Sequence, residues 1–320
     1  MNSGITYRDA GVDLDAARRH TENIASMVTG GTAGFAGLVE MPKMRDPLLV
    51  SATDGVGTKI ALAQQLGRIG GIGQDLVAMC VNDLACTGAT PLFFLDYMAV
   101  GRLDPRVAGE VVASIAAACR AVGCALVGGE TAEHPGVVAP DHLDLAGFAV
   151  GVVERDEVLG PHRVVAGDVI VGIPSSGLHS NGFSLVRALV DAGVLAADPD
   201  LLLEPTRLYP NDVRGLRNAG VELHAAAHIT GGGFPENLPR VIPDGLRPVV
   251  DPSTWERTAA ITAVLDTGKV PADDAWSTFN MGIGMCLVLP QDVAVTAAGA
   301  IAGACVIGHV ETGNGGLRFA

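Results

Sequence analysis

Pro47-Leu-Leu-Val-Ser-Ala-Thr-Asp-Gly-Val-Gly-Thr-Lys59 joins an apolar segment to a second periodic one through a glycine turn, and this junction sets the fold class. Residues 47–53 read as a strand, 54–57 as the turn, and a helix starts near Thr58. Upstream, Asp13 reads as the N-cap of a helix running to Val28, followed by the glycine-rich stretch 30–37. Downstream, the periodicity predicts helices over 73–88 and 105–122 and strands over 91–100, 124–128 and 143–153. After a polar stretch the pattern resumes, with a strand from Asp168 to Ile173, helices over 182–192, 206–219, 254–266 and 291–302, and strands over 246–250, 283–289 and 304–310. The alternation predicts an α/β or α+β fold in two domains, 1–160 and 161–320.

Composition narrows the function. The 320 residues are 48% hydrophobic and 18% charged, which excludes intrinsic disorder. A formal net charge of -14, acidic in both halves, lacks the basic footprint of a nucleic-acid binder. No apolar run approaches the roughly 18 residues of a membrane span. The N-terminal stretch, with Asp9, Asp13 and Asp15 and no apolar core, is not read as a signal peptide. Six cysteines form no C-x-x-C pair, so a reduced, cytoplasmic protein is expected. The G-x-x-x-x-G-K-[ST], G-x-G-x-x-G and G-x-S-x-G motifs do not occur, which removes the commonest nucleotide folds and a serine hydrolase.

Glycine, at 42 residues about 13% of the chain against an average near 7%, concentrates in loops, and chemistry is sought there. In Thr53-Asp-Gly-Val-Gly-Thr-Lys59, Gly55 and Gly57 permit close backbone approach. Thr58 opens a helix, Lys59 can neutralise a phosphate and Asp54 can hold a divalent cation. A plain glycine turn with solvated charges is the competing reading. In Gly73-Gln-Asp-Leu-Val-Ala-Met-Cys-Val-Asn-Asp83, Asp75 and Asn82 lie about 20° from eclipsed on a helix, with Asp83 about 80° round from Asp75. Burying carboxylates without partners is costly, so this acidic side of an apolar helix expects a cation or hydrogen-bond donors, unless it is a solvent-facing stripe. Leu126-Val-Gly-Gly-Glu-Thr131 reads as a strand ending at Gly128-Gly129 that presents Glu130 and Thr131. Acidic groups at three such places suit Mg²⁺ ions shared with a polyphosphate.

Ser175-Ser-Gly-Leu-His-Ser-Asn-Gly182 precedes a helix and reads either as a phosphate cradle, with His179 available for proton transfer, or as an N-capping turn. His228-Ile-Thr-Gly-Gly-Gly233 and Phe279-Asn-Met-Gly-Ile-Gly284 are compatible with ligand approach or with tight packing. His224 and His228, at i and i+4, lack the nearby acidic third ligand of a zinc site.

Taken in order, these segments resemble the AIR synthetase family, the phosphoribosylformylglycinamidine cyclo-ligases. The likeness runs from Thr6-Tyr-Arg-Asp-Ala-Gly-Val-Asp13 through TDGVGTK, GQDLVAMCVNDL, PLFFLDY (91–97), GGETAE, SSGLHSNGFSLVR, HITGGGFPENLPR and TFNMGIGM, over nearly the whole chain. Single motifs are shared by a superfamily of ATP-dependent enzymes, whereas PLFFLDY and HSNGFSLVR resemble the cyclo-ligases specifically. The resemblance implies an N-terminal half that pairs strands with a second subunit in a homodimer. It also implies ATP-dependent ring closure of formylglycinamidine ribonucleotide, in which the γ-phosphoryl group activates the formyl oxygen. It assigns Asp54, Asp83, Glu130 and, more weakly, Asp75 to Mg²⁺. It assigns Gly55, Gly57, Thr58 and Lys59 to ATP phosphates, with Asn82 and Thr131 beside them. Ser176, Gly177, Ser180, Asn181 and Gly182 are assigned to substrate or phosphoryl group, with His179, Lys59 and Asp54 as catalytic groups and loop 30–37 as a cover over ATP. The 30–47 segment is short for the family, His134 stands where methionine is expected, and the C-terminal end is brief. A selenophosphate synthetase would carry a cysteine before Cys80, and a hydrogenase-maturation relative would end in cysteine rather than Leu317-Arg-Phe-Ala320. A thiamine-monophosphate kinase-like enzyme and a catalytically silent paralogue stay as alternatives.

Overall fold

The computed structural model describes residue 4 and residues 9–29, 31–32 and 36–320. The first half comprises α1 (Leu14–Ile24), a short ladder of β1 (Gly31–Thr32) and β2 (Gly37–Leu38), β3 (Pro47–Gly55), α2 (Lys59–Gln65), α3 (Ile72–Cys86), β4 (Thr90–Val100), α4 (Pro105–Val122), β5 (Ala125–Glu133) and β6 (Leu143–Glu154). The second comprises β7 (Val169–Pro174), α5 (Phe183–Asp191), α6 (Pro199–Leu202), α7 (Pro210–Asn218), β8 (Ala225–His228), α8 (Gly233–Asn237), β9 (Leu246–Val250), α9 (Ala259–Asp266), α10 (Ala272–Thr278), β10 (Ile283–Leu289), α11 (Gln291–Ala300), β11 (Cys305–Thr312) and β12 (Arg318–Phe319).

Helix ends follow local chemistry. Asp104 accepts from the Arg106 and Val107 amides, Pro105 occupies the first turn, and Gly123 closes α4 at φ 74°, the limits expected from sequence. Asp13 caps α1 as expected, but the helix stops at Ile24, short of Val28. The expected 254–266 helix starts only at Ala259, because Pro252 opens a separate 3₁₀ turn and Trp255 is extended.

The first half is a four-stranded sheet in the order β3-β6-β4-β5, in which only β4 and β5 run parallel. Helices α3 and α4 cover one face, and Gly73 lets them meet: a Cβ there would sit 2.4 Å from the Val111 carbonyl oxygen. The opposite face leaves Leu49, Tyr97 and Phe148 exposed. The second half is a six-stranded sheet in the order β12-β9-β11-β7-β10-β8. Predominantly antiparallel pairing with helices packed on faces makes this the α+β form of the expectation.

Helix α3 joins the halves. Nearly every residue of it is buried, as suits a helix packed on several sides, and it touches β3, β6, α4 and β8. Its polar residues clasp one extended segment of the second half. Asp75 Oδ1 accepts from the Thr206 amide at 2.8 Å and its hydroxyl at 2.6 Å. Asn82 donates to the Arg207 carbonyl and accepts from the Tyr209 amide, and Gln74 donates to the Thr206 carbonyl. Lys59 Nζ completes the clasp, 2.8 Å from Asp75 Oδ2 and 2.9 Å from the Glu204 carbonyl oxygen. Lys59 and Asp75 are both wholly buried.

Lys59→Met strands the buried Asp75 carboxylate and should destabilise the protein by about 3–5 kcal/mol. Adding Asp75→Asn, whose neutral amide still accepts from Thr206, should recover part of the loss. Urea midpoints of the single and double variants measure both effects.

Candidate functional site

The turn after β3, the C-terminal half of α3, the loop before α5 and the loop after β8 meet at the junction of the two halves. Asp54 closes its own turn by accepting from the Gly55 amide at 2.7 Å. Burial first, then the neighbouring Asp83 carboxylate, raises the Asp54 pKa, against the Gly55 hydrogen bond and His228. Asp83 is half-exposed, and its Oδ1 lies 3.0 Å from His228 Nδ1. Asn82 Nδ2 lies 3.3 Å from the other ring nitrogen of His228. The imidazole therefore bridges two adjacent residues of α3.

His179 lies 6.5 Å, ring to ring, from His228 and 6.1 Å from Tyr209. It is wholly buried at φ 59°, a left-handed conformation uncommon for a side chain of this size. Space for it exists because residue 284 is glycine: a Cβ there would lie 2.0 Å from the Tyr209 hydroxyl and 2.4 Å from the His179 ring. Burial, reinforced by His228, Lys59 and Arg207, holds the His179 pKa well below its ordinary value, so the ring is neutral. Nε2 accepts from the Ser176 amide at 3.2 Å, which assigns the proton to Nδ1, and Nδ1 is buried without a partner. Asn181 Nδ2, from the same loop, is also a buried nitrogen without an acceptor.

The rest of this loop is occupied with structure. Ser176 donates to the Pro205 carbonyl at 2.6 Å, Ser180 meets the Thr206 hydroxyl at 3.2 Å, and Asn280 donates to the Gly177 carbonyl at 2.9 Å. At Gly182, φ is 77° and a Cβ would strike the Phe279 ring. These four residues, expected at a ligand, use their hydroxyls and their small size to pack the loop. Gly57 and Thr58 are exposed at the turn, and Thr58 Oγ1 lies 3.1 Å from Ser184 Oγ. Gly55 closes β3 beside the Leu145 carbonyl.

Two expectations are corrected. Lys59 and Asp75 were assigned to phosphate and metal, but each is the other's buried partner: the cation that Asp75 needs comes from the chain. Glu130 and Thr131 do not join Asp54 and Asp83. Strand β5 continues past Gly129 to Glu133, because β4 pairs with it through Val100, so Glu130 is held in mid-strand. The rows Asp54–Gly147–Asp96–Gly129 and Gly55–Ala146–Tyr97–Glu130 are neighbours on opposite sheet faces, which puts Glu130 across the sheet from Asp54. Thr131 lies 3.2 Å from His20 of α1. Among the described residues no three His, Cys, Asp or Glu side chains converge on one metal position.

His228 was missed as a partner of Asp83. Its spacing from His224 was read on its own, and because β8 is a strand the two histidines stand about 13 Å apart. His224 instead meets the buried Asp168 at 2.7 Å. The available signal was a histidine opening a triple-glycine loop.

The family model for the AIR synthase related protein N-terminal domain matches residues 36–153, and that for the C-terminal domain matches 165–319. The phosphoribosylformylglycinamidine cyclo-ligase of Thermosynechococcus vestitus is 51% identical, over 92% of this chain and 91% of its own. The enzyme of the same name from Myxococcus xanthus is 47% identical over 98% and 97%. Among solved structures, thiamine-monophosphate kinase from Stenotrophomonas maltophilia superposes with TM-score 0.67 at 20% identity, covering 96% of both chains. The E. coli hydrogenase maturation protein HypE superposes with TM-score 0.71 at 17% identity, covering 95% and 93%. At those identities the likeness is one of fold.

Because the folded-state pKa of Asp54 is raised, the folded protein holds that proton more tightly than the unfolded chain. Stability contributed below the unfolded pKa is then lost as pH rises through the folded one. Asp54→Asn should therefore unfold at a higher urea concentration than the parent at neutral pH, with the difference vanishing toward pH 3.

Proposed function

The chain belongs to the AIR synthase related family, and from that membership we infer that it closes the imidazole ring of 5-aminoimidazole ribonucleotide from formylglycinamidine ribonucleotide, at the expense of ATP, in purine biosynthesis. It is an ATP-dependent cyclo-ligase. Relatives of that name share about half their residues with it over nine-tenths of the chain. The kinase alternative has a likeness of fold at 20% identity, and a silent paralogue is disfavoured by the retained Asp54, Asp83 and His179.

One observation carries the placement of the chemistry. His179 Nδ1 and Asn181 Nδ2 are buried donors without acceptors, in the same junction as Asp54, whose ionisation is disfavoured by burial and by the neighbouring Asp83 carboxylate. Such a site is short of an anion and of a cation at once, and a Mg²⁺-bound phosphate supplies both. Asp54 and Asp83 would hold the ion, whose oxygen-seeking chemistry suits two carboxylates and which neutralises phosphate charge when bound. His179, neutral and fixed by Ser176, donates from Nδ1 to an oxygen of the transferring group. His228, held between Asp83 and Asn82, orients the Asp83 carboxylate. Phosphoryl transfer to the formyl oxygen converts it to a leaving group before the amidine nitrogen attacks.

We also propose a homodimer. The uncovered sheet face carries Leu49, Tyr97 and Phe148 at 67%, 37% and 43% exposure, an apolar surface that a second copy would bury. Among the described residues no helix is long and apolar enough to cross a membrane, and cytoplasmic residence fits a biosynthetic ligase.

ADP release by the purified protein should depend jointly on formylglycinamidine ribonucleotide and Mg²⁺, and Asp83→Asn should lower kcat by at least about 10²-fold. ADP release that ignores the ribonucleotide would refute the cyclo-ligase reading. Phe148→Asp should shift the mass seen by light scattering from dimer to monomer.

A further inference from the structure

Strand β10 runs between the two strands that deliver the histidines of the junction. It pairs with β7, which leads into the His179 loop, and with β8, which ends at His228. The turn that opens β10 is an uncommon one. The Ile283 amide donates to the Asn280 carbonyl at 3.0 Å, and between them Met281 and Gly282 lie at φ 54° and 102°. A left-handed methionine persists only where its surroundings hold it. Here the Trp255 indole donates to the Met281 carbonyl at 2.9 Å, and the Gly282 amide donates to Asn280 Oδ1 at 2.9 Å. The β7–β10 register then shifts between Ile283 and Met285, so Gly284 is the extra residue of a bulge, and its missing side chain is what leaves room for the His179 ring.

Asn280 is 1% exposed, and both ends of its amide are engaged. Besides the Gly282 amide, Oδ1 accepts from Ser175 Oγ at 3.1 Å, and Nδ2 donates to the Gly177 carbonyl at 2.9 Å. The Ser175 amide in turn donates to the Gly282 carbonyl at 2.9 Å. The residues on either side of Ser176 are thus both tied to this turn, and Ser176 is the residue whose amide donates to His179 Nε2. We propose that Asn280 is a positioning residue: by holding Ser175 and Gly177 it aims the Ser176 amide at Nε2 and so keeps the His179 proton on Nδ1. A neutral imidazole has one donor and one acceptor nitrogen, and the partner of one fixes the state of the other. Among the described residues Nδ1 has no partner, so the choice of tautomer rests on the Ser176 amide. The other tautomer would set Nε2–H against the Ser176 N–H, donor facing donor. Once that amide is free to turn away, the penalty disappears and the Nε2–H form becomes populated. Any effect of Asn280 on turnover passes through His179, and in that respect it rests on the reading of His179 Nδ1 as the donor to the transferring group.

Nitrogen NMR of protein carrying isotope-labelled histidine reads the tautomer without turnover, the His179 signals being those lost in His179→Gln. The parent should show a protonated Nδ1 and a bare Nε2. Asn280→Ala should bring in the Nε2–H form and lower kcat at least about tenfold, while KM for ATP and for the ribonucleotide changes less than about twofold. A merely structural role would lower the thermal midpoint and leave the His179 signals where they were. Ser175→Ala deletes a single hydroxyl from the same tie, should move the signals in the same direction by less, and replaces Asn280→Ala if that variant does not fold. Unchanged His179 signals in the folded variant, or a parent whose proton sits on Nε2, overturn the proposal. Altered signals with kcat at the parent's value uphold the positioning and refute His179 as the donor. Loss of ribonucleotide-dependent ADP release in the parent would refute the activity and leave the tautomer result standing.

Discussion

The buried Lys59–Asp75 ion pair is the constraint on which the arrangement of the two halves rests. Two opposite charges without exposed surface are tolerable only when their remaining hydrogen-bonding capacity is met, and here the second half meets it through the Glu204 carbonyl and the Thr206 amide and hydroxyl. The pair thus demands that the 204–209 segment lie along α3. Asn82 and Gln74 extend the same clasp, and Tyr209, placed by it, backs the ring of His179. A charge pair in the core of one half thereby sets the position of a histidine contributed by the other.

What this order leaves unsatisfied is informative. Most polar groups of the HSNG loop are spent on neighbours, yet His179 and Asn181 each keep a buried nitrogen without an acceptor. Across the junction Asp54 is held beside Asp83 without an internal cation of its own. Each deficiency costs stability, and the two are opposite in kind. Asp75 has the Lys59 cation and the Thr206 donors at hand, whereas these groups have no such partner among the described residues.

Legibility followed the range of the forces involved. Helix α4 was readable to its end residues because an aspartate cap, a first-turn proline and a terminal glycine act within a few residues. Strand β10 was readable because all seven of its residues are buried, leaving an uninterrupted apolar run. Gly128-Gly129 punctuates strand β5 locally and so reads as its end in the sequence, while pairing with β4 carries the strand on to Glu133. The acidic side of α3 was recognised as needing a partner, but spacing cannot say whether the partner is a metal or a lysine sixteen residues upstream. His228 was underread because its partner Asp83 is 145 residues away.

By itself, the sequence determined the class of fold, the acidic and glycine-rich character of its loops, and, through motif order, the cyclo-ligase family, all properties encoded over short spans. Tertiary structure decided which of the candidate residues face one another. It turned Lys59 and Asp75 inward, placed Glu130 across the sheet from Asp54, and joined His228 to Asp83. Buried charge is the physical reason: whether a carboxylate is a ligand or a structural anchor depends on which opposite charge reaches it first, and that is settled only when distant segments pack.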